Sequence, residues 1–270
     1  MTNHQIRLPG IGNARELGGF TAGAGRIKRG RLLRTASLSA ISAEDIDALC
    51  TLYKAAYIVD LRMSFERKTA PDPEVPGAKN RFLPVMEYED FPGFEPEFLK
   101  VLADPDVDRF EMMKMAVEMG TFSDKIYVNF LTGERGKSAY RGFFDCLMSL
   151  PEGRSILWHC TDGKDRTGIA SMLVLAALDV DEKTIMEDYM LTNEYNAKRI
   201  AAARAGFERM DLTPEFMEIA LFGAGAVYEY YMTNALDALK KSYGSLKGYL
   251  SEELCVGTAE CEALKDKFLE

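Results

Sequence analysis

The chain has 270 residues, of which 47% are hydrophobic and 28% are charged, a composition typical of a globular protein with a sizeable core. The formal net charge of −9 argues against nucleic acid as the main partner. The five cysteines form no C-x-x-C pair and there are two histidines, so the sequence predicts neither a disulfide framework nor a metal site.

The N-terminal residues are rich in glycine and irregular, and residues 31–34 are the first clear strand candidate. A helix start follows, with Ser42 as the N-cap and acidic residues in the first turn. Apolar residues then recur at helical spacing and include Cys50, which we expect in the core. Residues 55–59 form a continuous apolar run that predicts a buried parallel strand.

Asp60 and Arg62 follow this strand directly. Ligands of parallel α/β sheets gather at the carboxyl ends of the strands, so both residues are candidates for a binding site. An ion pair at the end of the strand would explain them equally well. Residues 63–80 are charged and proline-rich and are predicted to form a loop, and residues 81–85 form the next predicted strand.

The composition changes after that strand. An acidic run begins near Glu87, and a cluster of methionines lies within residues 112–119. An acidic run is usually a solvated face, and methionines usually pack in a core. Residues 87–130 are nevertheless longer than a simple connection needs to be. We therefore predict a mostly helical lid beside the carboxyl edge of the sheet, where the candidate binding site lies.

Residues 134–150 predict a helix that leads into a strand at residues 156–158 and a short loop at residues 160–166. A buried helix is predicted at residues 167–178, and the chain is then helical to its end, with Asp181 as one N-cap. The pattern predicts an α/β fold with a mostly parallel sheet of four to five strands flanked by helices, a helical lid insertion and a helical C-terminal half. We expect a single domain over the whole chain.

The loop between the predicted strand and helix has the layout of an anion-binding cradle. Its backbone N–H groups would turn inward, and the helix N-terminus adds free donors. Arg166 provides a planar fork for two phosphate oxygens, and Cys160 in this field is expected to be an ionised nucleophile. The remaining residues expected to bind or shape the phosphate site are Thr161, Asp162, Gly163, Lys164, Thr167 and Gly168.

The string HCTDGKDRTG at residues 159–168 resembles the signature loop of cysteine-dependent protein tyrosine phosphatases. Its Gly-Lys-Asp-Arg form is similar to that of an atypical bacterial branch, the tyrosine phosphatase B-like enzymes. Residues 13–19, 60–62 and 243–250 also resemble segments of that branch, so the resemblance covers nearly the whole chain. It implies hydrolysis of phosphotyrosine monoesters, with phosphoserine, phosphothreonine and phosphoinositides as further candidate substrates.

The resemblance also implies that Arg15 lies near the phosphate pocket, although the residues around it fit a plain turn equally well. Most tyrosine phosphatases bring their general acid on a Trp-Pro-Asp loop, but the single tryptophan, Trp158, lies in the predicted central strand. We therefore expect Asp165 to be the general acid, with a role as an acceptor that orders the loop as the alternative. The rival acid is Glu87, at a position where the related enzymes carry an aspartate.

Two further residues of the loop string have open roles. His159 either tunes the thiolate through a hydrogen bond or is a satisfied buried histidine. Lys164 either adds a cation at the pocket rim, which would favour multiply phosphorylated lipid head groups, or is a solvated surface lysine. The loop and Arg166 supply the positive charge that the reaction needs, so no metal and no cofactor is expected.

Two other function classes are possible. A phosphate-reading module would bind without turnover, but the intact Cys160, Arg166 and Thr167 argue against it. A rhodanese-like sulfurtransferase would have no evident use for residues 165–168. The expected partner is a phosphorylated protein or a phosphoinositide, without integral membrane contact. No apolar signal core or transmembrane-length run is present, so a cytoplasmic location is expected, with secretion by a route without a cleaved signal left open.

Overall fold

The computed structural model of the chain describes residues 4–23, 25–90, 125–210 and 212–270. The strands of its central sheet are β1 (Arg15–Glu16), β4 (Leu32–Thr35), β5 (Ala55–Asp60), β6 (Lys79–Phe82) and β7 (Ser155–His159). A separate two-stranded sheet consists of β2 (Thr21–Ala22) and β3 (Gly25–Arg26).

The central sheet has the spatial order β1-β4-β7-β5-β6, and all of its pairs are parallel except the edge pair of β1 with β4. The carboxyl ends of three neighbouring strands meet at one edge, because His159 at the end of β7 lies opposite Thr35 of β4 and Asp60 of β5. This edge is where a doubly flanked parallel sheet places its ligands.

The helices of the described residues surround this sheet and form most of the C-terminal half. They are α1 (Ala43–Thr51), α2 (Ser64–Thr69), α3 (Ile126–Thr132), α4 (Glu134–Met148), α5 (Asp165–Ala177), α6 (Glu182–Tyr195), α7 (Ala197–Phe207), α8 (Pro214–Gly223), α9 (Glu229–Tyr243), α10 (Leu246–Leu254) and α11 (Thr258–Phe268).

Both faces of the sheet are covered, which explains the continuous apolar runs of its central strands. On one face Leu157 of β7 joins a cluster with Leu49 of α1. On the other face Trp158 packs against Phe143 of α4, with ring centroids 5.2 Å apart, in the cluster that also contains Ile169 of α5. Helix α5 is apolar nearly all round and is buried throughout after its first residue, so it occupies the centre of the molecule.

The structure confirms the predicted α/β class, the mostly parallel sheet and the N-caps of α1 and α6, where Ser42 and Asp181 accept hydrogen bonds from backbone N–H groups. The prediction of a plain loop at residues 63–80 is wrong, because α2 lies within it. The strand predicted at residues 81–85 begins earlier and ends at Phe82, ahead of a proline that cannot donate to a ladder.

Two further expectations have different outcomes. Cys50 is half-buried and its thiol lies 3.3 Å from the Pro76 carbonyl oxygen, so it lies at the margin of the core. The predicted lid at residues 87–130 lies mostly outside the described residues. The described part of it includes a 3-10 turn at Tyr88–Asp90 and the beginning of helix α3. The lid therefore stays a prediction. Among the residues described, no helix combines the length and apolarity that a bilayer crossing demands.

Candidate active site

The cysteine loop leaves the central strand β7 and enters helix α5 at the carboxyl edge of the sheet. Cys160 is only 1% exposed and therefore lies at the floor of the site. Gly163 has a φ of +65°, and a Cβ there would lie 2.4 Å from the carbonyl oxygen of Thr35. Only glycine fits this turn, because other residues would meet both backbone strain and a clash.

Three consecutive carbonyl groups of the loop, those of Thr161, Asp162 and Gly163, accept hydrogen bonds from outside it. The Ser37 N–H donates to the first at 3.0 Å, and the Asn13 Nδ2 donates to the second and third at 3.2 and 2.8 Å. The C=O and N–H of a trans peptide point in opposite directions. The N–H groups that follow these carbonyls therefore face the interior of the loop, as in an anion-binding nest.

Two buried arginines support the loop from behind. Arg15 Nε lies 2.9 Å and Arg34 Nη1 lies 2.5 Å from the two carboxylate oxygens of Asp188 on α6, and Arg34 Nη2 donates to the Gly163 carbonyl at 2.8 Å. Burial would raise the pKa of Asp188, but the two arginines hold it below its usual range. Arg15 is fully buried in this support, so the structure shows it bound to Asp188 and not to the interior of the loop.

Arg166 is fixed by a bidentate ion pair with Glu66 of helix α2. Its Nη1 and Nη2 lie 2.5 and 2.9 Å from the two oxygens of Glu66, and the Thr161 hydroxyl donates to the same carboxylate. Burial would raise the pKa of Glu66, but the charge and hydrogen bonds of Arg166 and the hydrogen bond from Thr161 lower it to about 2. The pKa of Arg166 is raised because Glu66 outweighs the effect of burial.

The residues that end strand β5 form a buried ionic cluster beneath the loop. Arg62 Nε donates to Asp60 at 2.8 Å and Arg62 Nη2 donates to Asp72 at 2.8 Å, so the ion-pair interpretation of Asp60 and Arg62 matches the contacts. His159 Nε2 lies 3.0 Å from Asp72, and its Nδ1 lies 3.3 Å from the Cys160 carbonyl oxygen. His159 is thus fully buried between this cluster and the backbone of Cys160, with no contact to the thiol among its hydrogen bonds in the described residues.

Asp60, Asp72 and His159 each offer a ligand atom within 4.8 Å of one another, and they are the one such group found among the described residues. The Arg62 guanidinium already pairs with both carboxylates and supplies the compensating positive charge. Both carboxylates therefore have a cationic partner within the chain, while Asp72 Oδ1 is buried without a hydrogen-bond partner among the described residues.

Lys164 does not lie at the rim of the pocket or in solvent, so both of its expected positions are wrong. Its side chain is 3% exposed, its Nζ donates to the Phe222 carbonyl at 2.8 Å, and it lies 3.4 Å from the centroid of the Phe222 ring. The ammonium is also 3.3 Å from the carboxylate of Asp165. Lys164 anchors the loop to the C-terminal end of α8 and to Ala226 just after it.

The two candidate acids have different surroundings. Asp165 opens helix α5 next to Arg166, its side chain is 20% exposed, and it accepts a hydrogen bond of 2.6 Å from the Tyr127 hydroxyl. Glu87 is buried to 9% exposure and one of its oxygens accepts from both the backbone N–H and the hydroxyl of Ser64, at 2.9 and 2.5 Å. Glu87 thus stabilises the start of helix α2.

The other residues predicted for the site differ in their burial and in their hydrogen-bond partners. The Thr167 hydroxyl is buried and has no hydrogen-bond partner among the described residues. Gly168 is buried in the first turn of α5. The carboxylate of Asp162 binds Arg199 of α7 at 2.7 Å, so only its backbone contributes to the cradle.

Sequence reasoning missed Arg34, Glu66, Asp72 and Asp188 as parts of this site. Arg34 had a usable signal, because it lies near the end of a predicted strand beside the central one. Glu66 had a weaker one, since an acid at the third position of a helix often caps it. Asp188 had no signal in the sequence, because its contacts join segments that are far apart in the chain.

The chain resembles known proteins along nearly its whole length. The model of the tyrosine phosphatase family matches residues 6–270. A "putative tyrosine-protein phosphatase" of Cupriavidus necator is 30% identical over 262 residues, covering 95% of this chain and 86% of that protein. The triple specificity protein phosphatase PtpB of Mycobacterium tuberculosis is 29% identical, covering 91% of this chain and 92% of that protein. A tyrosine-protein phosphatase of Nostoc commune is 25% identical and covers 86% and 72%. The chain therefore belongs to the tyrosine phosphatase family.

Proposed function

We propose that the chain hydrolyses phosphotyrosine monoesters through a cysteinyl-phosphate intermediate. The observation that carries this proposal is the outward orientation of the Thr161, Asp162 and Gly163 carbonyls, which leaves inward-facing N–H groups above a buried cysteine. Such preorganised donors stabilise the charge that develops on the equatorial phosphoryl oxygens. Arg166, held in place by Glu66, adds a charged donor at the end of the same loop.

The reaction has two steps. The Cys160 thiolate attacks phosphorus, the bond from phosphorus to the ester oxygen breaks, and the departing oxygen takes a proton from Asp165. Water then attacks phosphorus, gives a proton back to Asp165 and displaces the thiolate, which releases inorganic phosphate. The partly exposed Asp165 in the loop supports this assignment better than Glu87, whose carboxylate is bound by Ser64.

The deciding experiment measures hydrolysis of p-nitrophenyl phosphate and of a phosphotyrosine peptide by the parent protein and by Cys160→Ser, each with and without a chelator. Cys160→Ser should abolish turnover and still bind phosphate and vanadate, and the chelator should have no effect. Cys50→Ser is the matched control, because Cys50 is a half-buried thiol outside the loop. Activity that survives Cys160→Ser, or that a chelator removes, would contradict the mechanism.

We extend the proposal to phosphoserine, phosphothreonine and phosphoinositide monoesters. The support is the resemblance of the loop to the tyrosine phosphatase B-like enzymes and the likeness to a relative that is named a triple specificity phosphatase. A panel of these substrates, compared by kcat/KM with the phosphotyrosine peptide, tests this range. Hydrolysis of the phosphotyrosine peptide alone would limit the function to tyrosine.

A further inference from the structure

Arg34 is a buried arginine that takes part in neither step of the proposed reaction. It lies in β4, next to the central strand that carries the nucleophile, and pairs in register with Trp158 of β7 and with Arg15 of β1. Its side chain is 0% exposed. A fully buried guanidinium is costly unless its surroundings compensate it, so its presence behind the loop requires an explanation.

The contacts of Arg34 divide between a carboxylate and the cysteine loop. Its Nη1 binds Asp188 at 2.5 Å, its Nη2 donates to the Gly163 carbonyl at 2.8 Å, and its Nε has no hydrogen-bond partner among the described residues. Asn13 donates to the same Gly163 carbonyl at 2.8 Å. Two donors therefore hold this peptide with its carbonyl outward and the N–H of Lys164 inward.

The charges behind the loop do not cancel. Arg15 and Arg34 share the single carboxylate of Asp188, which leaves one positive charge uncompensated within this cluster. Burial and Arg15 lower the pKa of Arg34 to about 10, while its ion pair with Asp188 raises it. Arg34 thus stays charged at neutral pH.

We propose that Arg34 is a positioning residue of the phosphate site: it holds the Gly163 carbonyl outward so that the loop donors face the phosphate and the Cys160 sulfur. Unlike Arg166, it acts through the loop from behind and does not touch the substrate. This inference rests on the proposed phosphatase function. Its readouts are therefore phosphate binding and thiol reactivity, neither of which needs turnover.

The test compares Arg34→Met, which removes both charge and donors, with Arg34→Lys, which keeps the charge and loses the planar fork. The first readout is the Kd for inorganic phosphate. The second is the rate at which iodoacetamide alkylates Cys160 at a fixed, mildly acidic pH, followed by mass spectrometry. Arg31→Met is the matched control, because Arg31 lies just before the same strand and binds the Arg154 carbonyl at the opposite end of the sheet.

Arg34→Met should weaken phosphate binding at least about tenfold, because a charge-assisted contact that orders the cradle is lost. It should also slow alkylation by roughly tenfold, since loop donors that face the sulfur favour the thiolate and are no longer held in place. Arg34→Lys should weaken phosphate binding and slow alkylation in the same direction, because it too loses the fork that holds the Gly163 carbonyl. The control should change neither quantity.

Parent-like phosphate affinity and alkylation in Arg34→Met would overturn the proposal. If Arg34→Met does not fold, Arg34→Lys decides, and parent-like phosphate affinity in that variant would overturn it. A protein that binds phosphate and reacts through Cys160 as described, yet hydrolyses no phosphate ester, would contradict the proposed function and leave the role of Arg34 standing.

Discussion

Lys164 illustrates how a single residue can carry a different role from the one its sequence position indicates. Its buried ammonium binds the Phe222 carbonyl, so it contributes to the architecture of the loop more than to the charge at the pocket mouth. We expect Lys164→Ala to lower kcat/KM by the same factor, roughly tenfold, on a phosphotyrosine peptide and on a phosphoinositide. Lys183→Ala is a suitable control, because that side chain is 87% exposed. A loss confined to the phosphoinositide would instead assign Lys164 a role in substrate choice.

Asp165 carries a second prediction at the scale of the residue. A general acid matters most when the leaving group is poor. Asp165→Asn should therefore reduce kcat by roughly 10²–10³-fold on phenyl phosphate and by much less on p-nitrophenyl phosphate. Glu87→Gln should reduce both rates equally, because Glu87 is engaged by Ser64. The reverse pattern in the two variants would transfer the role of the acid to Glu87.

Helix α2 is a short element whose position depends on Glu66. The carboxylate binds the Met63 N–H at 2.8 Å within its own helix and Arg166 across the site. Because the pKa of Glu66 falls from 4.5 to about 2 on folding, its stabilisation is complete above about pH 4.5 and is lost as the pH falls toward about 2.

Glu66→Gln should accordingly destabilise the protein by on the order of 3 kcal/mol near pH 7, with the difference from the parent shrinking as the pH is lowered. Urea unfolding of the parent and the variant between about pH 7 and about pH 3 measures this. Glu89→Gln is the control, since the Glu89 side chain is 81% exposed. A difference in stability that stays constant with pH would show that the charge of Glu66 contributes nothing.

The cysteine loop is the element that glycine makes possible. Gly163→Ala should strain the turn at φ +65° and push the loop away from the Thr35 carbonyl. We expect a loss of stability of about 1–3 kcal/mol together with a loss of phosphate binding. Thermal unfolding and phosphate titration check both effects. Gly206→Ala, in helix α7 where a Cβ meets nothing within 4 Å, is the comparison that should leave phosphate binding unchanged.

The elements that the sequence predicts well are those with local signals. The buried strand at Ala55–Asp60 has a continuous apolar run, and the caps of α1 and α6 are marked by Ser42 and Asp181. Helix α2 is six residues long, starts after Met63, which is not a usual N-cap residue, and is followed closely by prolines, so it is too short to show a clear periodicity. Its partner Arg166 lies elsewhere in the chain, and tertiary contacts of this kind leave no local pattern.

In the candidate site, too, the residues with a local sequence signal were predictable and the residues that contact them from remote segments were not. Cys160 and Arg166 belong to one contiguous string whose spacing indicates an anion cradle. The residues that hold this cradle in shape come from segments that are remote in sequence. Asn13 is 150 residues from Gly163, and Arg15 is 173 residues from Asp188. Only the folded chain brings these partners together, so the support of the loop could not be read from spacing.

At the scale of the whole molecule, this remote support has a consequence for the order of folding. Contacts of long sequence separation form slowly, because the chain must close large loops before it gains their energy. The segment that carries Asn13 and Arg15 must dock against β4 and α6 before both donors to the Gly163 carbonyl are in place. A chain with most of its helices formed can therefore still lack a functional cradle.

Recovery of phosphate binding after dilution from denaturant should accordingly lag behind recovery of the far-ultraviolet circular dichroism signal. Prolyl isomerase, added in parallel, separates this lag from slow proline isomerisation. If both signals recover together, the docking of the N-terminal segment is not a late step. If binding lags with the isomerase present, the folding chain passes through a stage that is largely structured but does not yet bind phosphate, and docking of the segment that contains Arg15 is a late event.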